Sequence, residues 1–119
     1  MQVRSLADAD SFVTADGSTI RELFGRPTGG VEHQSLAEAT LAPGQATQRH
    51  YHRVSEEIYF VLDGEGEMEL DGERRGVSAG DAVAIPAGSW HELRAEGDRP
   101  LRILCSCAPP YTHEDTFFE

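Results

Sequence analysis

Long apolar runs and an apolar leader are both missing from this 119-residue sequence. Hydrophobic residues make up 39% of the chain, and no stretch of them approaches the roughly 20 residues that span a bilayer. The first 17 residues, MQVRSLADADSFVTADG, alternate apolar with acidic side chains and lack the apolar core of a secretory signal peptide. We therefore expect a cytoplasmic protein of one domain, with no membrane partner.

Basic residues are also scarce. Ten arginines and lysines stand against 21 acidic residues, which gives a formal net charge of −11. Such a surface repels phosphate backbones and anionic lipids, so the composition argues against a nucleic-acid partner. It does not argue against a small-molecule substrate, because a buried metal ion can reverse the local field.

Only two cysteines are present, Cys105 and Cys107 in the segment RILCSCAPP. If this segment is a strand, both thiols face the same side, with Cα atoms roughly 6.5–7 Å apart. That separation lies at or beyond the edge of disulfide geometry. The pattern favours two reduced residues of a core or pocket, with a soft-metal or redox role as the alternative.

Glycine, in contrast, divides the middle of the sequence at short intervals. Between the glycines lie apolar or alternating runs such as EEIYFVL, GEMELDG and DAVAIPAG. Turn signals every roughly 8–12 residues are typical of an all-β sandwich or barrel. Within LDGE, the pair Asp71-Gly72 predicts a tight hairpin turn.

Signals for helices are weak and lie near the start. SLADADSF and STIRELFG could each form a turn or a short helix, the second capped by Ser18. We interpret residues 1–32 as an N-terminal arm that supplies an extra strand or a dimer contact, and residues 33–108 as the barrel. Residues 109–119 form a C-terminal tail, since Pro109 and Pro110 lack the N–H groups that strand pairing needs.

The segment RHYH places two histidines one residue apart. On a strand, His50 and His52 point to the same face, whereas on a helix they would lie about 200° apart. The spacing therefore suits a shared metal ion only if the segment is β, and EEIYFVLDG supplies that context directly afterwards.

Two further metal ligands are predicted from turn signals in the sequence. A turn over RVSE would bring Glu57 on the returning strand alongside the histidines, and a turn at Pro86–Gly88 would aim His91 inward. Three imidazoles and one carboxylate suit a borderline divalent first-row metal.

These residues and spacings resemble the two motifs of the cupin superfamily. The chain matches every fixed position of the first motif, in the order Gly44, His50-x-His52, Glu57 and Gly64. Gaps of five, four and six residues separate these positions. The chain matches the second motif with Gly80, Pro86-x-Gly88 and His91, separated by gaps of five and two residues. Where that motif usually ends in asparagine the chain has Ala95, a difference that affects strand-end hydrogen bonding more than metal binding. The short gap between the motifs is similar to that of compact bacterial single-domain cupins.

The resemblance implies a small all-β barrel of the jelly-roll type. Inside it, His50, His52, Glu57 and His91 would hold one divalent metal ion, either Fe, Mn, Ni or Zn, with open positions for substrate, water or oxygen. Small cupins often dimerise through edge strands, and an open jelly roll leaves such edges exposed. We therefore expect a homodimer.

Strand alternation extends the predicted inward face to Gln48, Tyr59 and Leu93. Gln48 either reaches the metal or a substrate oxygen, or is an ordinary residue at the barrel mouth. Tyr59 either places its hydroxyl over the pocket as a catalytic base, or packs in the core. Trp90 forms either the pocket rim or a dimer contact.

The resemblance leaves the reaction class open. The first hypothesis is a small-molecule enzyme of the dioxygenase type, an oxidoreductase using Fe(II). The same site could instead use its metal as a Lewis acid in an isomerase, cyclase or lyase. A third hypothesis is a non-catalytic, metal-dependent binding protein for a sugar or small acid. Fold similarity alone cannot choose among them.

Overall fold

The structure, a computed structural model, describes residues 1–119 and is built almost entirely of β-strands. The strands are β1 (Ser11–Val13), β2 (Thr19–Phe24), β3 (Ser35–Leu41), β4 (His50–His52), β5 (Glu56–Asp63), β6 (Glu65–Leu70), β7 (Glu73–Ser78), β8 (Ala82–Ile85), β9 (His91–Glu96), β10 (Leu101–Ala108) and β11 (Thr116–Phe118). Two short 3₁₀ turns, Leu6–Asp8 and His113–Asp115, are the only helical elements. Neither has the length or the apolarity to cross a membrane.

The strands form two antiparallel sheets that face each other. One has six strands in the order β1-β2-β3-β10-β5-β8, and the other has five in the order β11-β4-β9-β6-β7. Neighbours in space are mostly distant in sequence, as when β10 lies between β3 and β5. This is the jelly-roll barrel that the sequence predicted.

Alternation along the strands determines which side chains fill the barrel. On β5, Glu57, Tyr59 and Val61 are buried, while Ile58 and Phe60 between them are exposed on the outer face. The core consists of inward-facing residues from both sheets: Ala39, Leu41, Tyr59, Val61, Met68, Val77, Ile85, Leu93, Ala95, Leu101 and Ile103. Burying each of the larger side chains contributes about 1.5–3 kcal/mol.

The predicted hairpin at Asp71-Gly72 is confirmed. The register pairs Leu70 with Glu73, which leaves two residues in the loop, and both have positive φ, 48° and 92°. Two positive φ angles in succession define the primed turn that matches the twist of the flanking strands.

The helix considered for STIRELFG is wrong. Residues 19–24 of this segment form β2, which pairs with both β1 and β3. Tertiary pairing overrides the weak helical preference here, because β2 gains two neighbouring strands to bond with. Buried Ser18 caps no helix and lies in the turn between β1 and β2. The N-terminal residues thus extend the six-stranded sheet, while the predicted boundaries at 32 and 108 stay a prediction.

Candidate metal centre

Three histidines lie together inside the barrel, as the sequence predicted. β4 pairs with β9 so that His50 lies opposite His91, and their ring centroids are 4.3 Å apart. The His52 ring lies 5.1 Å from that of His50 and 5.6 Å from that of His91. All three are buried, and one ring nitrogen from each can be chosen so that all lie within 4.8 Å of one another. These three side chains could hold a metal ion.

Glu57 reaches the histidines from the opposite sheet. Its Oε1 atom lies 3.3 Å from Nε2 of His52 and 3.6 Å from Nε2 of His91. The sequence correctly predicted that Glu57 would lie beside the histidines, although its strand is not a neighbour of β4. The loop after His52 crosses from one sheet to the other, so the carboxylate faces the imidazoles across the barrel.

Backbone carbonyls orient two of the rings. The Nδ1–H of His50 donates to the carbonyl oxygen of Gln48 at 2.7 Å, and that of His91 donates to the carbonyl oxygen of Ser89 at 3.0 Å. In both cases the partner is two residues earlier in the chain. Placing the proton on Nδ1 leaves the Nε2 lone pair free to face the interior, as a metal-binding histidine requires.

The third ring is oriented by the C-terminal tail. The Thr116 hydroxyl donates to the carbonyl oxygen of Thr112 at 3.0 Å, so the Thr116 oxygen accepts the Nδ1–H of His52 at 3.3 Å. Backbone pairing of β11 with β4 sets Thr116 opposite His52. The result is the same tautomer in all three histidines.

Burial and the neighbouring charges set the protonation of the cluster. Burial, followed by the charge of His91, lowers the pKa of His50 to about 4, so this ring is neutral at pH 7. Burial acts to raise the pKa of Glu57, but contacts with His52 and His91 outweigh it and lower the pKa to about 2. Burial acts to lower the pKa of His52, whereas Glu57 raises it above the ordinary value. The buried Glu57 carboxylate is thus ionised and stabilises a positive charge beside it, either on protonated His52 or on a bound cation.

Two buried atoms of the cluster have no hydrogen-bond partner, Oε1 of Glu57 and Nε2 of His91. An unpaired buried polar atom costs about 1–3 kcal/mol, so a native structure rarely keeps two side by side without a ligand. One cation between them would satisfy both. Three imidazole nitrogens and a carboxylate oxygen suit a first-row divalent ion, and the residues present therefore fit a bound metal.

The cluster opens into a cavity of about 70 Å³ between the sheets. One water needs about 10–15 Å³ on this scale, so the cavity has room for a small molecule. Tyr59 and Leu93 line it, as predicted. Burial raises the pKa of the Tyr59 phenol well above its ordinary value. At neutral pH this hydroxyl is therefore a proton donor and not a base, which changes the role predicted for it.

Gln48 does not face the cavity. β4 begins only at His50, so the alternation does not extend back to Gln48, whose side chain is exposed. Buried Thr47 lines the cavity instead, and its hydroxyl accepts the Leu93 N–H at 3.0 Å. The expectation that Gln48 points inward is wrong.

Trp90 lies outside the cavity wall. Its ring packs edge-on against Tyr51, with centroids 4.7 Å apart, and the Arg49 guanidinium lies 5.1 Å from its centre. Tyr51 points outward because its neighbours His50 and His52 point inward. A pocket-rim position for Trp90 is thus wrong, and the dimer contact stays a prediction.

Both cysteines are free and line the cavity. The Cys107 thiol lies 3.2 Å from Oε2 of Glu57, to which it donates a hydrogen bond. This contact follows from the register of β10 and β5, in which Cys107 pairs with Glu57 and Cys105 with Tyr59. The sequence placed both thiols on one face but could not identify the neighbouring strand.

Asp16, from the turn between β1 and β2, also lines the cavity and was missed. The dipeptide Asp16-Gly17 is an ordinary turn signal, but nothing local indicates that the turn lines the cavity of the histidine cluster. That placement depends on pairing between β2 and β3.

Residues 37–107 match the sequence profile of the cupin domain. The chain belongs to the cupin family. An uncharacterized protein of Methanocaldococcus jannaschii is 47% identical over 105 residues, which cover 88% of this cupin and 84% of that protein. A crystal structure of a cupin 2 conserved barrel domain protein from Salinispora arenicola has a TM-score of 0.75 at 27% identity, covering 90% of this chain and 87% of the other.

Two relatives have names that state a biochemical role. Polyketide synthase CurC of Streptomyces cyaneus is 32% identical over 93 residues, which are 78% of this chain and 60% of that protein. Quercetin 2,3-dioxygenase of Bacillus subtilis is 33% identical over 96 residues, 74% of this chain but only 28% of that enzyme.

Proposed function

We propose that this cupin is a small-molecule enzyme of the dioxygenase type that holds one divalent metal ion on His50, His52, Glu57 and His91. The observation that carries the proposal is the pair of unpartnered buried atoms, Oε1 of Glu57 and Nε2 of His91, beside two further imidazoles. Similarity to the dioxygenase of Bacillus subtilis supports the reaction class.

The chain's own residues account for binding and orientation. The Nδ1 hydrogen bonds keep the three Nε2 lone pairs directed inward, and Glu57 supplies the compensating negative charge. Tyr59 offers a neutral hydroxyl that can donate a hydrogen bond to a substrate oxygen. Leu93 forms an apolar wall that helps to exclude water. A bound Fe(II) ion would supply the electrons and open positions that bring substrate and O₂ together.

The test begins with metal content. Protein purified anaerobically and loaded with Fe(II) should retain one ion per chain, measured by elemental analysis, and should consume O₂ when a substrate is added. His52→Ala should lose both the ion and the oxygen uptake. His33→Ala, which removes an exposed imidazole instead, should keep both.

A second candidate is Lewis-acid chemistry, as in an isomerase, cyclase or lyase. It is favoured by similarity to polyketide synthase CurC and by a Tyr59 hydroxyl that stays protonated and can act as an acid. Retention of Zn, Ni or Mn, with product formed and no oxygen consumed, would select it. Saturable ligand binding with no product from any substrate would instead select a non-catalytic binding protein. We also propose a cytoplasmic location, where Cys105 and Cys107 would stay reduced.

A further inference from the structure

The turn between β1 and β2, residues 14–18, forms part of the wall of the cavity into which the metal-ligand cluster of His50, His52, Glu57 and His91 opens, and it is firmly attached. The Gln48 N–H donates to the carbonyl oxygen of Asp16 at 2.8 Å. The Gln45 side-chain amide donates to the carbonyl oxygen of Gly17 at 2.6 Å. Both partners belong to the loop that leads into β4, so the turn is fixed to the segment that carries His50.

The two carboxylate oxygens of Asp16 have different surroundings. Oδ1 accepts three hydrogen bonds, from the Thr14 hydroxyl at 2.6 Å, the Ser18 N–H at 2.9 Å and the Ser18 hydroxyl at 2.6 Å. The second oxygen, Oδ2, accepts none, and Asp16 forms no ion pair. Three bonds to one oxygen fix the carboxylate plane, so the other oxygen is a preoriented and unused acceptor.

Asp16 belongs to the wall of the cavity that contains the cluster. Asp16, His50, His52 and Glu57 all line it, and the charge of Asp16 acts on His50, Tyr59 and Cys105. Most of the remaining wall is apolar, including Leu41, Leu93 and Ile103, which offer a ligand no polar contact. A ligand held at the metal therefore has a strong acceptor available at the turn.

We propose that Asp16 is a substrate-orienting residue whose free oxygen accepts a hydrogen bond from a hydroxyl or ammonium group of the substrate. The inference rests on the proposed function, because the substrate's other end must be held by the metal through its oxygens. It also limits the substrate class. A second anionic group at the Asp16 end is excluded by repulsion, and the cavity of about 70 Å³ admits only a small molecule.

The experiment compares small chelating acids with and without an extra hydroxyl. Co(II) is loaded under argon, and its uptake and its later response to each acid are followed by visible absorption. One pair is lactate and glycerate, and a second, longer pair is 2-hydroxybutyrate and 2,4-dihydroxybutyrate. All four bind a metal through the carboxylate and the 2-hydroxyl, so within a pair only the added hydroxyl can distinguish them. The wild-type protein should bind the hydroxylated member of at least one pair about tenfold more tightly.

Asp16→Asn is the decisive variant. Its amide oxygen can still accept the three bonds from Thr14 and Ser18, while its NH₂ group replaces the free acceptor with a donor. The hydroxyl preference should fall to within about twofold of unity, with Co(II) affinity retained. Asp98→Asn removes the same charge from an exposed position and should keep the preference, which separates the specific contact from the net charge.

The outcomes separate the two proposals. Protein that takes up no Co(II) overturns the proposed metal function and this inference with it. Uptake of Co(II) with no hydroxyl preference in either pair overturns the inference alone, whether or not the variant folds. A hydroxyl preference that is undiminished in Asp16→Asn would also overturn the inference about Asp16 alone.

Discussion

At the scale of single residues, Glu57 joins the two sheets at the metal-ligand cluster. One oxygen faces the imidazoles of His52 and His91, and the other accepts a hydrogen bond from the thiol of Cys107 at 3.2 Å. Burial raises the pKa of Cys107, so this group stays a thiol and keeps its proton for donation. The cysteine thereby holds the carboxylate with one oxygen directed at the ligand position.

Replacing Cys107 by valine should weaken metal binding. The change removes the hydrogen bond and leaves Oε2 of Glu57 without a partner, and the loss of such an outer contact typically costs a metal site about tenfold in affinity. Competition with a chromophoric chelator measures this directly. Cys105→Val is the matched control, since Cys105 lines the same cavity without bonding to Glu57. Equal affinities in the two variants would contradict the role assigned to Cys107.

Individual residues also show what could and could not be predicted from the sequence. His50, His52, Glu57 and His91 were found because alternation and turn spacing are local properties that the sequence displays. Gln48 was misplaced because alternation holds only within a strand, and β4 begins two residues later. The three hydrogen bonds to Oδ1 of Asp16 are local. The place of Asp16 on the cavity wall depends instead on the pairing of β2 with β3, a strand about 20 residues further along the chain.

At the scale of elements, the C-terminal tail holds the loop between two of the proposed metal ligands. The Asp115 carboxylate accepts hydrogen bonds from the backbone N–H groups of Arg53, Val54 and Ser55, at 3.0 to 3.2 Å. These residues form the loop between His52 and Glu57. The tail therefore fixes the separation of His52 and Glu57, two proposed metal ligands that belong to different sheets.

Asp115→Ala should destabilise the fold by about 1–2 kcal/mol, as the loss of a capping carboxylate does elsewhere. Burial acts to raise the pKa of Asp115, but the Ser55 and Val54 N–H groups lower it below 3.8. The carboxylate thus stabilises the fold above its unfolded pKa, and that contribution is lost as the pH falls through the lower folded value. The melting-temperature difference between wild type and variant should therefore shrink in acid. Glu114→Ala, exposed beside it, should show no such difference at any pH.

Turns between strands show why the first cupin motif ends in glycine. Gly64, between β5 and β6, has φ of +87°, and a Cβ atom there would lie 2.5 Å from the backbone oxygen of Pro100. Gly72 in the next turn has a similar φ of +92°, but a Cβ atom added to it would have no other atom within 4 Å.

The two glycines therefore form a matched pair for substitution. Both Gly64→Ala and Gly72→Ala introduce the strain of a left-handed backbone, about 1–2 kcal/mol. Only the first also forces Cβ against backbone atoms, so it should cost about 2 kcal/mol more. Urea denaturation measures the difference, and equal stabilities would show that the chain near Pro100 moves aside.

At the scale of the whole molecule, the outer face of the six-stranded sheet has an apolar patch. Ile58 and Phe60 on β5 are 52% and 40% exposed. Ile58 pairs with Ala84 on β8, and Phe60 pairs with Ala82 on β8 and with Leu104 on β10. Large exposed apolar residues side by side on a sheet are typical of an association surface. We propose this face as the contact of the expected homodimer.

Light scattering during gel filtration tests the dimer. The wild-type protein should have twice the chain mass of 13.0 kDa, and the double variant Ile58→Asp, Phe60→Asp should have the single mass with unchanged β-sheet circular dichroism. Val3→Asp introduces a charge at another exposed apolar residue and should remain dimeric. A wild-type mass of 13.0 kDa would exclude this assembly.

The hydrogen bond between His52 and Thr116 also has a consequence for biosynthesis. The two residues are separated by 64 positions, and the second belongs to the last strand. While a ribosome is still adding residues beyond β10, the imidazole of His52 lacks the partner that orients it. We therefore expect the proposed metal ion to bind stably only after β11 has paired with β4 and Thr116 has reached His52.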